Sequence, residues 1–264
     1  MLSRPGALTD MGRAVLRWFG GWWRIIHLGA LLLVLALSPS SYTRANRAAM
    51  ARHIYLGTAP ILLWFTLLSS LLGLILIRIV VVTAASYGLS QYALQMVVRV
   101  LVLELIPLTA AIFVALRIGL PDGRELARMR LRGELDALRQ QGLDPLRHEV
   151  LPRVIAGAFA VMMLAAVAGV VTLVLAYLTV HGFTLGGLER YTRTVGQVFT
   201  PAVTLIFTIK TFLLALAVSL LPVASALYDL PRGRTRSSAE LQALVRLFLV
   251  MLLIEAASLV GNYY

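Results

Sequence analysis

The residues of this sequence that could do chemistry are charges set inside apolar blocks: Arg78, Arg99, Glu104, Lys210 and Arg246. A charge near the centre of a bilayer costs on the order of 3 kcal/mol or more unless it is paired or wetted. Glu104 and Lys210 each lie about 18 Å along an apolar block, counted at the helical rise, and the two blocks run in the same direction. Equal depth predicts a buried ion pair that fixes helix packing. The other reading is that they line a substrate path. Arg78 and Arg99 fall nearer the opposite surface, where a guanidinium can snorkel or bind a phosphate through two donors.

Enzymatic readings fail on residue types. A nucleotide-binding P-loop needs Gly-Lys-Ser/Thr after a glycine-rich turn, but the single lysine stands in Ile209-Lys210-Thr211 within an apolar block. His148-Glu149 opens like a zinc-protease motif, yet Pro152 occupies the place of the second histidine. His27, His53 and His181 are scattered near block borders, and there is no cysteine for a thiolate or a disulfide. The sequence therefore predicts no catalytic residue, no cofactor and no metal site.

The elements that must position these charges are membrane spans. The chain is 59% hydrophobic and 14% charged with a mean hydropathy of +0.86. Five stretches, Ile54–Val82, Tyr92–Leu116, Val154–His181, Val198–Leu227 and Leu241–Val260, meet the roughly 20 residues that cross a hydrocarbon core. A shorter block, Ile25–Leu37, ends at Ser38-Pro39-Ser40 and reads as interfacial or re-entrant. Trp18, Phe19, Trp22 and Trp23 with Arg4, Arg13, Arg17 and Arg24 make residues 1–53 an amphipathic elbow segment rather than a cleaved signal. The fold class is all-α: a polytopic membrane protein with an N-terminal interfacial elbow helix and five transmembrane helices.

The net charge of +12 is almost all arginine. Arg44, Arg47 and Arg52 join the N-terminal arginines; Arg124, Arg128, Arg130, Arg132, Arg139, Arg147 and Arg153 follow the second span; Arg232, Arg234 and Arg236 precede the fifth. The other side has only Arg190 and Arg193. The positive-inside rule then predicts a cytoplasmic N-terminus and an external C-terminus. Topology, not nucleic acid, accounts for the basic balance.

Residues 119–153 are the one polar stretch with internal order. Pro121-Asp122-Gly123 reads as a turn, Glu125 to Gln141 as a helix with a stripe of Leu126, Met129, Leu135 and Leu138, and Gly142 as its C-terminal cap. Such a helix either rests on the membrane or docks a cytoplasmic partner. Gly182, Gly186 and Gly187 mark an external loop.

The run Glu125-Leu126-Ala127-Arg128-Met129-Arg130, then Asp136-Ala137-Leu138, Gly142-Leu143-Asp144-Pro145 and Leu151-Pro152-Arg153 resembles the signature of MlaE/YrbE permeases. Upstream, Glu104-Leu105-Ile106-Pro107 is similar to that family's Glu-Leu-Gly-Pro, and Lys210 and Glu255 stand where it carries a lysine and an acidic residue. Departures are Leu103 for arginine, Ile106 for glycine, Gly133 for glutamate, and Arg232-Gly233-Arg234-Thr235-Arg236 for a glycine-rich stretch.

The resemblance implies a permease domain over 54–264, without catalytic residues, in the bacterial inner membrane. It implies a homodimer, a cytoplasmic ABC ATPase docked on residues 119–153, a periplasmic MCE-domain protein, room for a small STAS-domain regulator, and membrane lipid bound between the two copies. Glu125, Leu126, Met129, Arg130, Leu135, Asp136, Leu138, Asp144 and Pro145 would then be the ATPase-coupling residues. The rival readings are an ion-coupled secondary transporter, which needs a repeat with broken helices, and a membrane anchor for a cytoplasmic assembly.

Overall fold

The computed structural model describes residues 7–39, 42, 44–228 and 236–263. Arg4, Ser40, Arg232, Gly233, Arg234, Thr235 and Tyr264 lie outside the described residues, as do the side chains of Arg13, Arg17, Trp18, Phe19, Arg44 and Arg236. Every regular element among the described residues is helical: α1 (Ala7–Leu37), α2 (Arg44–Ser86), α3 (Ser90–Val97), α4 (Ile106–Val114), α5 (Leu120–Leu131), α6 (Glu134–Gln140), α7 (Leu151–His181), α8 (Leu188–Val198), α9 (Pro201–Tyr228) and α10 (Arg236–Tyr263).

Six of these helical runs are long and apolar enough to cross a membrane, the five expected and Gly20–Leu37. The latter belongs to one unbroken 31-residue helix, continuous rather than re-entrant, and by length and composition it is a further candidate span. Among the described side chains of α1, a narrow stripe of Ile25, Leu28 and Leu32 is buried; α1 packs mainly against α9. α2 has 43 residues, about 65 Å of helix, twice the hydrocarbon thickness of about 30 Å. Its polar first turns carry Asn46, Arg47, Arg52 and His53; the remainder, Arg78 apart, is largely apolar around its circumference and packs along α7, as a helix in lipid does.

The second span departs most from the sequence reading. Pro121-Asp122-Gly123 makes no turn; helix runs from Ser90 through Leu131. Two wide-turn π-helical segments, Val98–Leu105 and Ala115–Gly119, interrupt it, and a third, Leu146–Val150, precedes α7. In each the next N–H reaches back five residues: Ile106 to Leu101 O, Leu120 to Ala115 O, Leu151 to Leu146 O. A proline stands two residues beyond each segment (Pro107, Pro121, Pro152). Proline removes an i→i−4 bond and crowds the carbonyl there; a wide turn just before it relieves both without ending the helix.

The helix expected from Glu125 to Gln141 is split into α5 and α6 by Gly133, whose φ of 75° is left-handed and suits glycine. Gly142 caps α6 as expected: its N–H donates to Arg139 O and that of Leu143 to Leu138 O, the paired bonds of a left-handed C-terminal cap. Beyond α7, the loop of Gly182, Gly186 and Gly187 leads into a helix the sequence reading missed. α8 turns Tyr191, Val195 and Val198 inward at helical spacing, and the Tyr191 hydroxyl donates to Leu173 O at 2.7 Å. Burial pushes the Tyr191 phenol up to about 12.

Candidate functional site

The centre of the bundle is charged. Lys210, on α9, has a side chain only 1% exposed. Its ammonium has three protons and three acceptors: Glu104 Oε2, Glu255 Oε1 at 2.9 Å and the backbone carbonyl of Leu103 at 3.1 Å. The Leu103 carbonyl is available for a local reason. The residue that would donate to it in an α-helix is Pro107, which has no N–H. The wide turn and its proline thus present a carbonyl to the lysine, and set Glu104 beside it.

Glu255 arrives from α10, whose inward face also carries Leu247, Met251, Ser258 and Asn262. The Asn262 amide donates to Glu104 Oε1 at 3.3 Å. One cation therefore serves two carboxylates, and an amide supports the second oxygen of one of them. Such an arrangement resists being pulled apart and is costly to leave half-made. The sequence reading had Glu104 and Lys210 as a pair and did not join Glu255 or Asn262 to them. The signal was in the counting: Lys210 and Glu255 lie at nearly equal distances from the connection between Tyr228 and Arg236.

Arg78 and Arg99 stand apart from this centre. Arg78 is exposed and Arg99 half-buried, and neither makes a hydrogen bond or ion pair among the described residues. Arg78 is ringed by exposed Leu74, Ile75, Ile79 and Val82. Arg246, within α10, is half-buried.

At the opposite end of the bundle from α8, the stripe read as a docking surface faces inward. Leu126 is fully buried, Leu135 buried, and Met129 packs on the core with its sulfur 3.8 Å from Arg153 Nη2; Leu138 is half-buried. Arg130 donates to the carbonyl of Leu227 in the last turn of α9, where a cation satisfies an orphan carbonyl. Arg153 clasps Glu149 one turn before it. Asp144 caps the next element through Leu146 N–H at 3.0 Å, and Pro145 is buried. The exposed residues here include Glu125 paired with Arg128, Asp136 paired with Arg139, Arg132 paired with Glu134, and Leu131, 64% exposed. A partner at this end would meet those residues, not Leu126 or Leu135.

Long apolar helices around a buried charge centre, with no P-loop in the sequence, define a multi-pass helical membrane protein. The chain belongs to the MlaE permease family, whose model matches residues 50–260. It is 32% identical over 96 residues to a probable ABC transporter permease protein of Rickettsia felis (strain ATCC VR-1525 / URRWXCal2), and equally to one of Rickettsia prowazekii (strain Madrid E). The alignments cover 34% of this chain and 37% of each relative, so the chain spans little more than a third of the curated relatives it matches.

Proposed function

We propose that this chain is the membrane-spanning subunit of an ABC transporter that moves phospholipid or a similar amphiphile between the inner membrane and a periplasmic MCE-domain carrier. The observation that carries the reading is the membership of residues 50–260 in the MlaE permease family, and the names of the Rickettsia relatives support it. The chain works as a homodimer with its N-terminus in the cytoplasm, its C-terminus in the periplasm and α1 as an elbow lying along the inner face. Hydrolysis belongs to a separate ATPase seated on the exposed side of α5 and α6. Arg78 and Arg99 line the outer part of the lipid path, where an unpaired guanidinium in an apolar belt calls for an anion such as a lipid phosphate.

The test is purification of the tagged chain from its own host, with identification of the proteins and lipids that accompany it. An ATPase, an MCE-domain protein and bound phospholipid are expected, and a STAS-domain regulator would be seen in the same measurement. A chain that purifies without an ATPase, from cells that express one, would sink the transporter reading.

A further inference from the structure

α9 is gripped at one point by three other elements. A Cβ at Gly119 would stand 2.6 Å from the Val218 carbonyl oxygen, and one at Gly123 would stand 2.9 Å from that of Pro222. A Cβ at Gly157 of α7 would stand 3.0 Å from the Ser219 Cβ, and one at Gly29 of α1 would stand 2.8 Å from Leu220 Cδ2. The Val218 carbonyl is the one that Pro222 leaves without its helical donor; Gly119, the last residue of the wide turn, lies against it, and Gly123 brings the α5 backbone against Pro222. With Arg130 holding the end of α9 through Leu227 O, α5 and α9 touch backbone to backbone, with no side chain between them to change rotamer and absorb a shift.

Two routes lead from α5 to the charge centre. The covalent route, up α4 to Glu104, crosses the wide turn Ala115–Gly119, a place where a helix bends. The route through α9 runs from Val218 to Lys210, about 12 Å of helix with no glycine or proline in it. The first route is soft and the second stiff.

We propose that α5 and residues 210–222 of α9 move as one body, hinged against α4 at Ala115–Gly119, so that a push on α5 displaces Lys210 relative to Glu104. This rests on the reading that the ATPase seats on α5 and α6. It makes Gly119 and Gly123 positioning residues for transport, and it makes the charge centre the place where the push is felt.

The test is a pair of structures of the permease bound to its ATPase, one free of nucleotide and one trapped with ATP. Superposed on α5, residues 210–222 should coincide while α4 and Glu104 rotate away. A shift across the Gly123–Pro222 contact, or an α5 that keeps its place against α4, overturns the proposal. An ATPase seated away from α5 and α6 fails the docking reading separately, and the proposal with it. As a second arm, Gly123→Ala forces the α5 and α9 backbones apart while leaving Glu125, Arg128 and Leu131 in place. It should keep the ATPase in the purified complex and lose the stimulation of hydrolysis by lipid. Stimulation at the parent level would refute the coupling. If the variant does not fold, the two structures of the parent complex decide.

Discussion

Replacing Lys210 by methionine should be the most damaging single change in the bundle, and the geometry ranks it against its neighbours. The substitution keeps length and removes the ammonium that serves Glu104, Glu255 and the Leu103 carbonyl. Two largely buried carboxylates, 12% and 16% exposed, then share a site with no cation, and breaking a buried ion pair by removing one partner costs about 3–5 kcal/mol. Glu255→Gln differs in kind: the amide oxygen still accepts from Lys210, and Glu104 still balances the charge. About 1 kcal/mol is the scale for one altered hydrogen bond, and the same holds for Glu104→Gln.

Had Glu104 been the sole partner of Lys210, as depth alone suggested, its loss would strand the ammonium at the full cost. With Glu255 present it does not. The triple change Lys210→Met, Glu104→Gln, Glu255→Gln should recover most of the loss, since no charge is left to bury. The assay is the folded fraction in mild detergent as denaturant is raised, read by size-exclusion chromatography. If Glu255→Gln were as damaging as Lys210→Met, or the triple variant no better than Lys210→Met alone, the shared-cation account would be wrong.

A reporter active only in the periplasm should give signal when fused after Tyr264 and none when fused after Arg236; the opposite pattern reverses the orientation. Leu131→Asp should leave the chain folded and inserted while abolishing recovery of the ATPase, since Leu131 is exposed and a carboxylate buried without a partner at an interface costs a few kcal/mol. Leu126→Asp, by contrast, should reduce the yield of folded chain itself, because Leu126 is fully buried; equal behaviour of the two would mean that the docking face is misassigned. Photo-crosslinkers placed beside Arg78 and Arg99 should capture phospholipid, and capture of protein alone at both positions would remove them from the lipid path.

The spans were legible in the sequence because a run of apolar residues long enough to cross a bilayer is a property of composition, requiring no knowledge of packing. Gly142 was legible because a left-handed cap favours one residue type. The wide turns were not: a shift from i→i−4 to i→i−5 bonding leaves no mark on composition. Its trace is the proline two residues later, and in Pro121-Asp122-Gly123 that proline begins a run with the composition of a turn. The inward face of Leu126 and Leu135 was also hidden, because an apolar stripe looks the same whether it meets a partner or the chain's own bundle. α8 was obscured by Gly186 and Gly187 before it and by the brevity of its Tyr191, Val195, Val198 repeat.

The stretch after α7 has a consequence for which peptide bonds a protease can reach. Loops rich in glycine are ordinarily the first to be nicked, because cleavage needs several residues to open into an extended strand. Here the Tyr177 hydroxyl donates to Thr184 O, the Thr184 hydroxyl donates back to His181 O at 2.8 Å, and Tyr191 is tied to Leu173. The His181 ring stacks on Tyr177 with centroids 5.2 Å apart, and Gly187 lies so close over it that a Cβ there would fall 2.1 Å from His181 Cδ2. To open residues 182–187, a protease must wait for several of these ties to release together. Limited digestion should therefore spare a glycine-rich loop that composition alone would nominate as the weakest point of the chain.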